Sequence, residues 1–149
     1  MSQDATVRGS LRSLGLRPAL PRSPPVAAVL VGDALVVFAF LAVGLYSHDV
    51  LFWEQPVHTV DVVTPFALSW LVVAGVVGLY HSHTLTSLRR TAALTAGGWV
   101  VAGLLGSALR ATAFFPGDAP LVFVLVNIAT GMVFLLPWRL GVTGLFRRR

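Results

Sequence analysis

Apolar residues in this chain gather into four unbroken stretches, with no repeat of apolar and polar positions inside them. The first runs from Val26 to Tyr46, the second from Thr59 to Tyr80, the third from Ala92 to Phe115 and the fourth from Ala119 to Trp138. A helix that lines the core of a water-soluble domain turns a polar face outward every three or four residues. Segments such as VVFAFLAVGLY, LSWLVVAGVVGLY and LVFVLVNIATGMVFLL have no such face. Each stretch is close to the roughly 20 residues that carry a helix across about 30 Å of hydrocarbon. Lipid offers the backbone no hydrogen bonds, so the helix is the expected spanning form. A transmembrane barrel would need strict alternation, which is absent. The expected fold is therefore all-α, an integral membrane four-helix bundle.

Charge sets the orientation. Ten of the eleven arginines lie on one side of the pattern: Arg8, Arg12, Arg17 and Arg22 before the first span, Arg89 and Arg90 between the second and third, and Arg139, Arg147, Arg148 and Arg149 after the fourth. The opposite side carries Asp49, Glu54 and Asp118, with Asp61 at its edge and Arg110 as its basic residue. Positive loops stay in the cytoplasm, so both termini are expected inside a cell (plasma) membrane. The chain divides into a cytoplasmic Arg/Pro-rich tail over 1–25, a four-span domain over 26–141, and a basic tail over 142–149. In the first tail, Val7, Leu11 and Leu14 can share a face, whereas Gly9 and Gly15 weaken a helix there.

Composition narrows the function classes. Hydrophobic residues make up 56% of the chain, and the mean hydropathy is +0.80. The isoelectric point near 11.4 comes from arginines that flank spans without interleaved aromatics, so no nucleic-acid partner is expected; anionic headgroups answer the same charge. The absence of cysteine removes disulfides, thiolate nucleophiles and zinc–thiolate sites. No phosphate-binding glycine loop, nucleophile elbow or dinucleotide fingerprint is present, and no cofactor is implied. The loop that gathers His48, Asp49, Glu54, His58 and Asp61 reads as a solvated acidic loop, since no pair has the spacing of a known metal motif.

Polar groups inside the spans are the candidate functional residues, because they are costly in lipid and face the bundle interior. At about 1.5 Å per residue, Asp33 lies about 12 Å from the cytoplasmic edge and Arg110 about 27 Å from it. An arginine side chain does not bridge that difference, so Asp33 is expected to lack a cation and Arg110 to pair with Asp61 at the outer edge. Trp70 and Trp99 lie near the depth of Asp33, and their indole N–H groups are the expected donors. Burial with no cation in reach favours the protonated carboxyl. Two roles follow: a lock that ties helices together, or a site that carries a proton. Asn127 is expected to make an interhelical hydrogen bond from a face shared with Phe123, Thr130 and Phe134. Gly98, Ala102 and Gly106 give the third span a small-residue face for close approach of a neighbour, which puts spans two and three at the centre. Pro65 is expected to start or kink the second helix.

A set of landmarks links the chain to a known group. Asp33 in span one, Ser47-His48 after it, Thr64-Pro65-Phe66 opening span two, Trp99 and Arg110 in span three, Phe123-Val124 in span four and Trp138-Arg139 closing it resemble the small four-span prokaryotic membrane-protein family called domain of unknown function 3054. The resemblance covers residues 26–141. Leu45-Tyr46 departs from it, standing where a basic residue is expected. The resemblance implies a membrane bundle and brings no established activity, substrate or cofactor. A structural or accessory membrane protein is the first reading. A small oligomeric carrier or proton-linked transporter using Asp33 is the second. A membrane enzyme is the last, and no enzymatic activity is expected. Partners are the bilayer itself and a second copy or another membrane protein.

Overall fold

The structure, a computed structural model, describes residues 26–115 and 117–147, apart from the side chain of Ser82. The tail over 1–25 with its arginines, and Arg148 and Arg149, lie outside the described residues. The helices are α1 (Val26–Tyr46), α2 (Pro56–Val76), a single turn α3 (Ser82–Leu85), α4 (Leu88–Arg110) and α5 (Leu121–Arg147). The described residues contain no strand. All four of the long helices are long and apolar enough to cross a membrane. The protein is thus an all-α, multi-pass membrane protein, as the apolar stretches indicate.

The helix ends differ from the hydropathy boundaries, and local chemistry explains why. α2 starts at Pro56, not at Thr59; proline at the first position has its φ preset and lacks an N–H that the first turn would leave unpaired. Pro65 therefore lies inside α2 and does not open it. α4 begins at Leu88 because the Ser87 hydroxyl accepts a hydrogen bond from the Arg90 backbone N–H at 3.4 Å. It ends at Arg110, short of Phe115. α5 continues through Pro137 to Arg147, past Trp138. That extension places Arg139 within a helix, where a flanking surface charge was expected.

The neighbours run α1, α2, α4, α5 and back to α1, with α2 and α4 the most closely packed pair. The four long helices thus close a ring in which no span is central, and what holds of the expectation is the close packing of spans two and three on each other. Their contact is the small-residue face: Gly98, Ala102 and Gly106 are buried, with Trp70 and Val73 beside Gly98 and Phe66 beside Gly106. Aromatic rings fill the middle. Trp99 meets Phe40 of α1 edge-on at 5.3 Å and Trp70 of α2 at 5.8 Å. Its indole N–H donates to the Ile128 carbonyl on α5 at 3.1 Å. Outward positions such as Val31, Leu35, Val72, Val101, Leu125 and Val133 are exposed and equally apolar. Both sides of each helix are therefore oily, which is why no amphipathic pattern marks them and why lipid is the solvent that suits the surface.

Candidate functional site

Asp33 lies on the face of α1 that also buries Val29, Val37 and Phe40, and it is fully buried. Four side chains converge on its carboxylate. The Trp138 indole N–H donates to Oδ1 at 2.9 Å. Oδ2 accepts from the Trp70 indole N–H at 3.1 Å and from the Tyr80 hydroxyl at 2.8 Å. Arg139 completes the set with a hydrogen-bonded ion pair from Nη2 to Oδ2. Arg139 is itself fully buried. Its Nη1 donates to the Leu79 carbonyl at 3.4 Å. The guanidinium lies 4.7 Å from the Tyr80 ring centroid and 5.8 Å from that of Trp70. Two aromatic faces thus lie near a cation that also has a carboxylate to neutralise it.

Three helices and one turn supply these groups. α2 provides Trp70 directly. Beyond α2 the chain reverses at Gly78, whose φ of +76° lies in the left-handed region that glycine adopts without steric cost. The Leu79 N–H then bonds back to the Ala74 carbonyl at 2.9 Å. This buries Leu79 and directs its carbonyl and the Tyr80 hydroxyl toward α1 and α5. The turn is pinned from both sides. The Thr84 hydroxyl donates to the Gly78 carbonyl at 3.0 Å, and the Thr91 hydroxyl of α4 donates to the Thr84 carbonyl at 2.8 Å. Thr91 also meets the Thr143 hydroxyl of α5 at 3.1 Å. α5 contributes Trp138 and Arg139 from adjacent positions. Trp138 reaches Asp33 by lying directly on Gly32, where a Cβ would come within 2.0 Å of its Cζ2.

A buried charge pair is costly to assemble and more costly to break. Desolvation opposes bringing the two ions inside, whereas removing one partner strands the other. Here each carboxylate oxygen has a donor, so the cluster is closed on the acid side. Chemically it can hold α1, α2 and α5 in one arrangement.

The structure separates the sequence candidates. Asp33 is the buried acid, and Trp70 is one of its donors, as expected. Trp99 is not; its N–H is used on Ile128. The expectation of a carboxyl without a cation gives way to Arg139, and with it the reason to expect a neutral acid. Arg110 lies at the other end of the bundle, 5.5 Å from the Phe123 ring centroid, with its Nε buried and unpartnered. Asp61 and Asp118 both act on it electrostatically, but neither closes the ion pair expected for Asp61; among the described residues the ion pair is that of Asp33 with Arg139. Asn127 is buried, and its Oδ1 has no hydrogen-bond partner in place of the expected interhelical bond. Its buried stripe is Asn127, Gly131, Leu135, Arg139 and Thr143, whereas Phe134 is exposed. Tyr80, Trp138 and Arg139 were not among the candidates. The four-residue steps of that stripe, which run from Asn127 to Arg139, are the signal that points to the arginine.

A family model described as "Protein of unknown function (DUF3054)" matches residues 30–142, a stretch that includes every side chain of the cluster. No curated protein and no solved structure matches the chain.

Two substitutions test the cluster without touching either charge. Trp138→Phe removes one donor and is expected to lower stability by about 1 kcal/mol. Gly32→Ala forces the indole away and is expected to cost at least as much. Reversible unfolding in mixed micelles measures both, and an unchanged midpoint for Gly32→Ala would contradict the close seating of Trp138.

Proposed function

This chain is a member of the DUF3054 family, and on that premise we propose that it acts as a structural or accessory protein of the cell membrane and not as an enzyme. The observation that carries this reading is the saturation of Asp33 by Trp70, Tyr80, Trp138 and Arg139. A carboxyl that carries protons must gain and lose them while its surroundings accommodate both forms. Protonating Asp33 would leave the buried Arg139 guanidinium without its counter-charge, a state that lipid and protein both penalise. The cluster therefore supports a lock between helices and argues against the rival proton-carrying role. An accessory role implies a membrane-protein partner or a second copy, met through the apolar outer faces.

The lock belongs, in this reading, to the cytoplasmic half of the bundle. Arg89, Arg90 and Arg147 lie at the same end as Tyr80 and Arg139 by helix order, and basic residues are retained inside. Both termini are then cytoplasmic.

Purified protein in liposomes tests the role. Wild type and Asp33→Asn are both expected to show no proton uptake driven by a pH gradient, and the variant is expected to unfold more readily. Proton flux in wild type that Asp33→Asn abolishes at unchanged stability would overturn the structural reading. Orientation has its own check: a reporter active only in the cytoplasm, fused after Arg149, should be active, and activity of a reporter that works only outside would reverse the topology.

A further inference from the structure

Away from the Asp33 cluster, toward the end of the bundle that carries Ser47 and His48, a cavity of about 150 Å³ opens between α1, α2 and α5. Phe40 and Phe123 contribute to its apolar wall, and Ser47, His48, Asn127 and Thr130 are its polar lining residues. No arginine, aspartate or glutamate lines it. Asn127 is 5% exposed, and its Oδ1 is buried without a partner. Among the described residues the His48 ring and the Thr130 hydroxyl also make no hydrogen bond. The Ser47 hydroxyl donates to the Gly44 carbonyl at 2.6 Å and keeps its lone pairs for an incoming donor. Ser47 and His48 are exposed, so the cavity has a polar mouth and a deeper polar group at Asn127.

A buried amide oxygen left unpaired is costly, and a ligand able to hydrogen-bond to it would recover that cost. The absence of charged lining residues calls for a neutral ligand. The volume matches that of a cavity of about 150 Å³ known to take one benzene ring. Rings on α1 and α5 provide aromatic surface for such a ring to pack against. The geometry points to a site for a single aromatic ring that bears a hydroxyl group: a phenol or hydroquinone. Its hydroxyl donates to the Asn127 oxygen once that amide turns toward the cavity and accepts from Thr130 or His48, while the ring packs against Phe40 and Phe123. The same chemistry could arrive as a free phenol or as the head of an isoprenoid-tailed hydroquinone from the bilayer. The site is independent of the role assigned to Asp33.

Asn127 is the sole asparagine in the chain, so asparagine-selective ¹⁵N labelling gives a single side-chain amide to watch. The full chain in detergent micelles is titrated with phenol, with hydroquinone and with benzene. Phenol and hydroquinone are expected to shift that amide saturably, with a midpoint about ten-fold below that of benzene. Asn127→Leu should weaken phenol binding, read by equilibrium dialysis, by about ten-fold. If that variant does not fold, His48→Ala, at an exposed position, and Thr130→Val should each weaken it several-fold. Nanodiscs with and without the tailed hydroquinone separate the two sources: a shift at lower ligand concentration with the tailed form identifies the bilayer, and the reverse identifies the free ring. Shifts that never saturate, or benzene binding as well as phenol, would overturn the proposal.

Discussion

A carboxylate and a guanidinium shut together where water does not reach constrain everything around them. Coulomb attraction is strong in such a medium, but so is the penalty for any lone pair or N–H left bare. The Asp33–Arg139 pair offsets much of that penalty by recruiting two indoles, a phenol and a main-chain carbonyl, with only the Arg139 Nε left unpartnered. Each recruit fixes part of the fold. The Tyr80 hydroxyl needs the reversal at Gly78, and the Trp138 indole needs the bare backbone at Gly32. The Arg139 guanidinium needs α5 to continue as helix beyond Pro137. The end of the bundle that holds the pair is therefore the specified end.

The remainder of the molecule is held by shape. Residues facing lipid are as apolar as those facing inward, so burial alone does not drive the helices together. Close approach does. The small residues of α4 let α2 come near, and Trp99 bridges α1, α2 and α5 through two edge-on ring contacts and one hydrogen bond. At the opposite end Asn127 keeps an unpartnered oxygen in a residue that lines a cavity, and Arg110 has no ion pair among the described residues. Both ends keep a bare guanidinium Nε, Arg139 at one and Arg110 at the other, but only the first closes an ion pair around its arginine.

Much of the architecture could be read from residues alone, because hydropathy and length need no knowledge of neighbours. The four spans, the all-α class, the family, the burial of Asp33 and the donor role of Trp70 belong to that part. What escaped depends on tertiary geometry. Arg139 follows a tryptophan at the edge of an apolar stretch, where arginine normally marks a boundary; only the continuation of α5 carries it inside. Trp99 and Trp138 are both indoles, but depth does not tell which helix face carries a ring, and it is Trp138 that reaches the acid. Tyr80 lies past the end of α2 and turns back only because of a left-handed residue that hydropathy does not register. Helix starts at Pro56 and Leu88 follow first-turn chemistry, which acts on single residues and is invisible to a sliding average.

Asp33 and Arg139 depend on each other in this arrangement, and a double-mutant cycle measures that dependence directly. Unfolding free energies of wild type, Asp33→Leu, Arg139→Met and the double variant, taken in the same micelles, give the coupling. Interdependent charges predict that the double variant is less damaged than the sum of the single ones by more than about 1 kcal/mol, since each single change strands a buried charge. Effects that add to within about 0.5 kcal/mol would contradict the pairing as the constraint on which the fold depends.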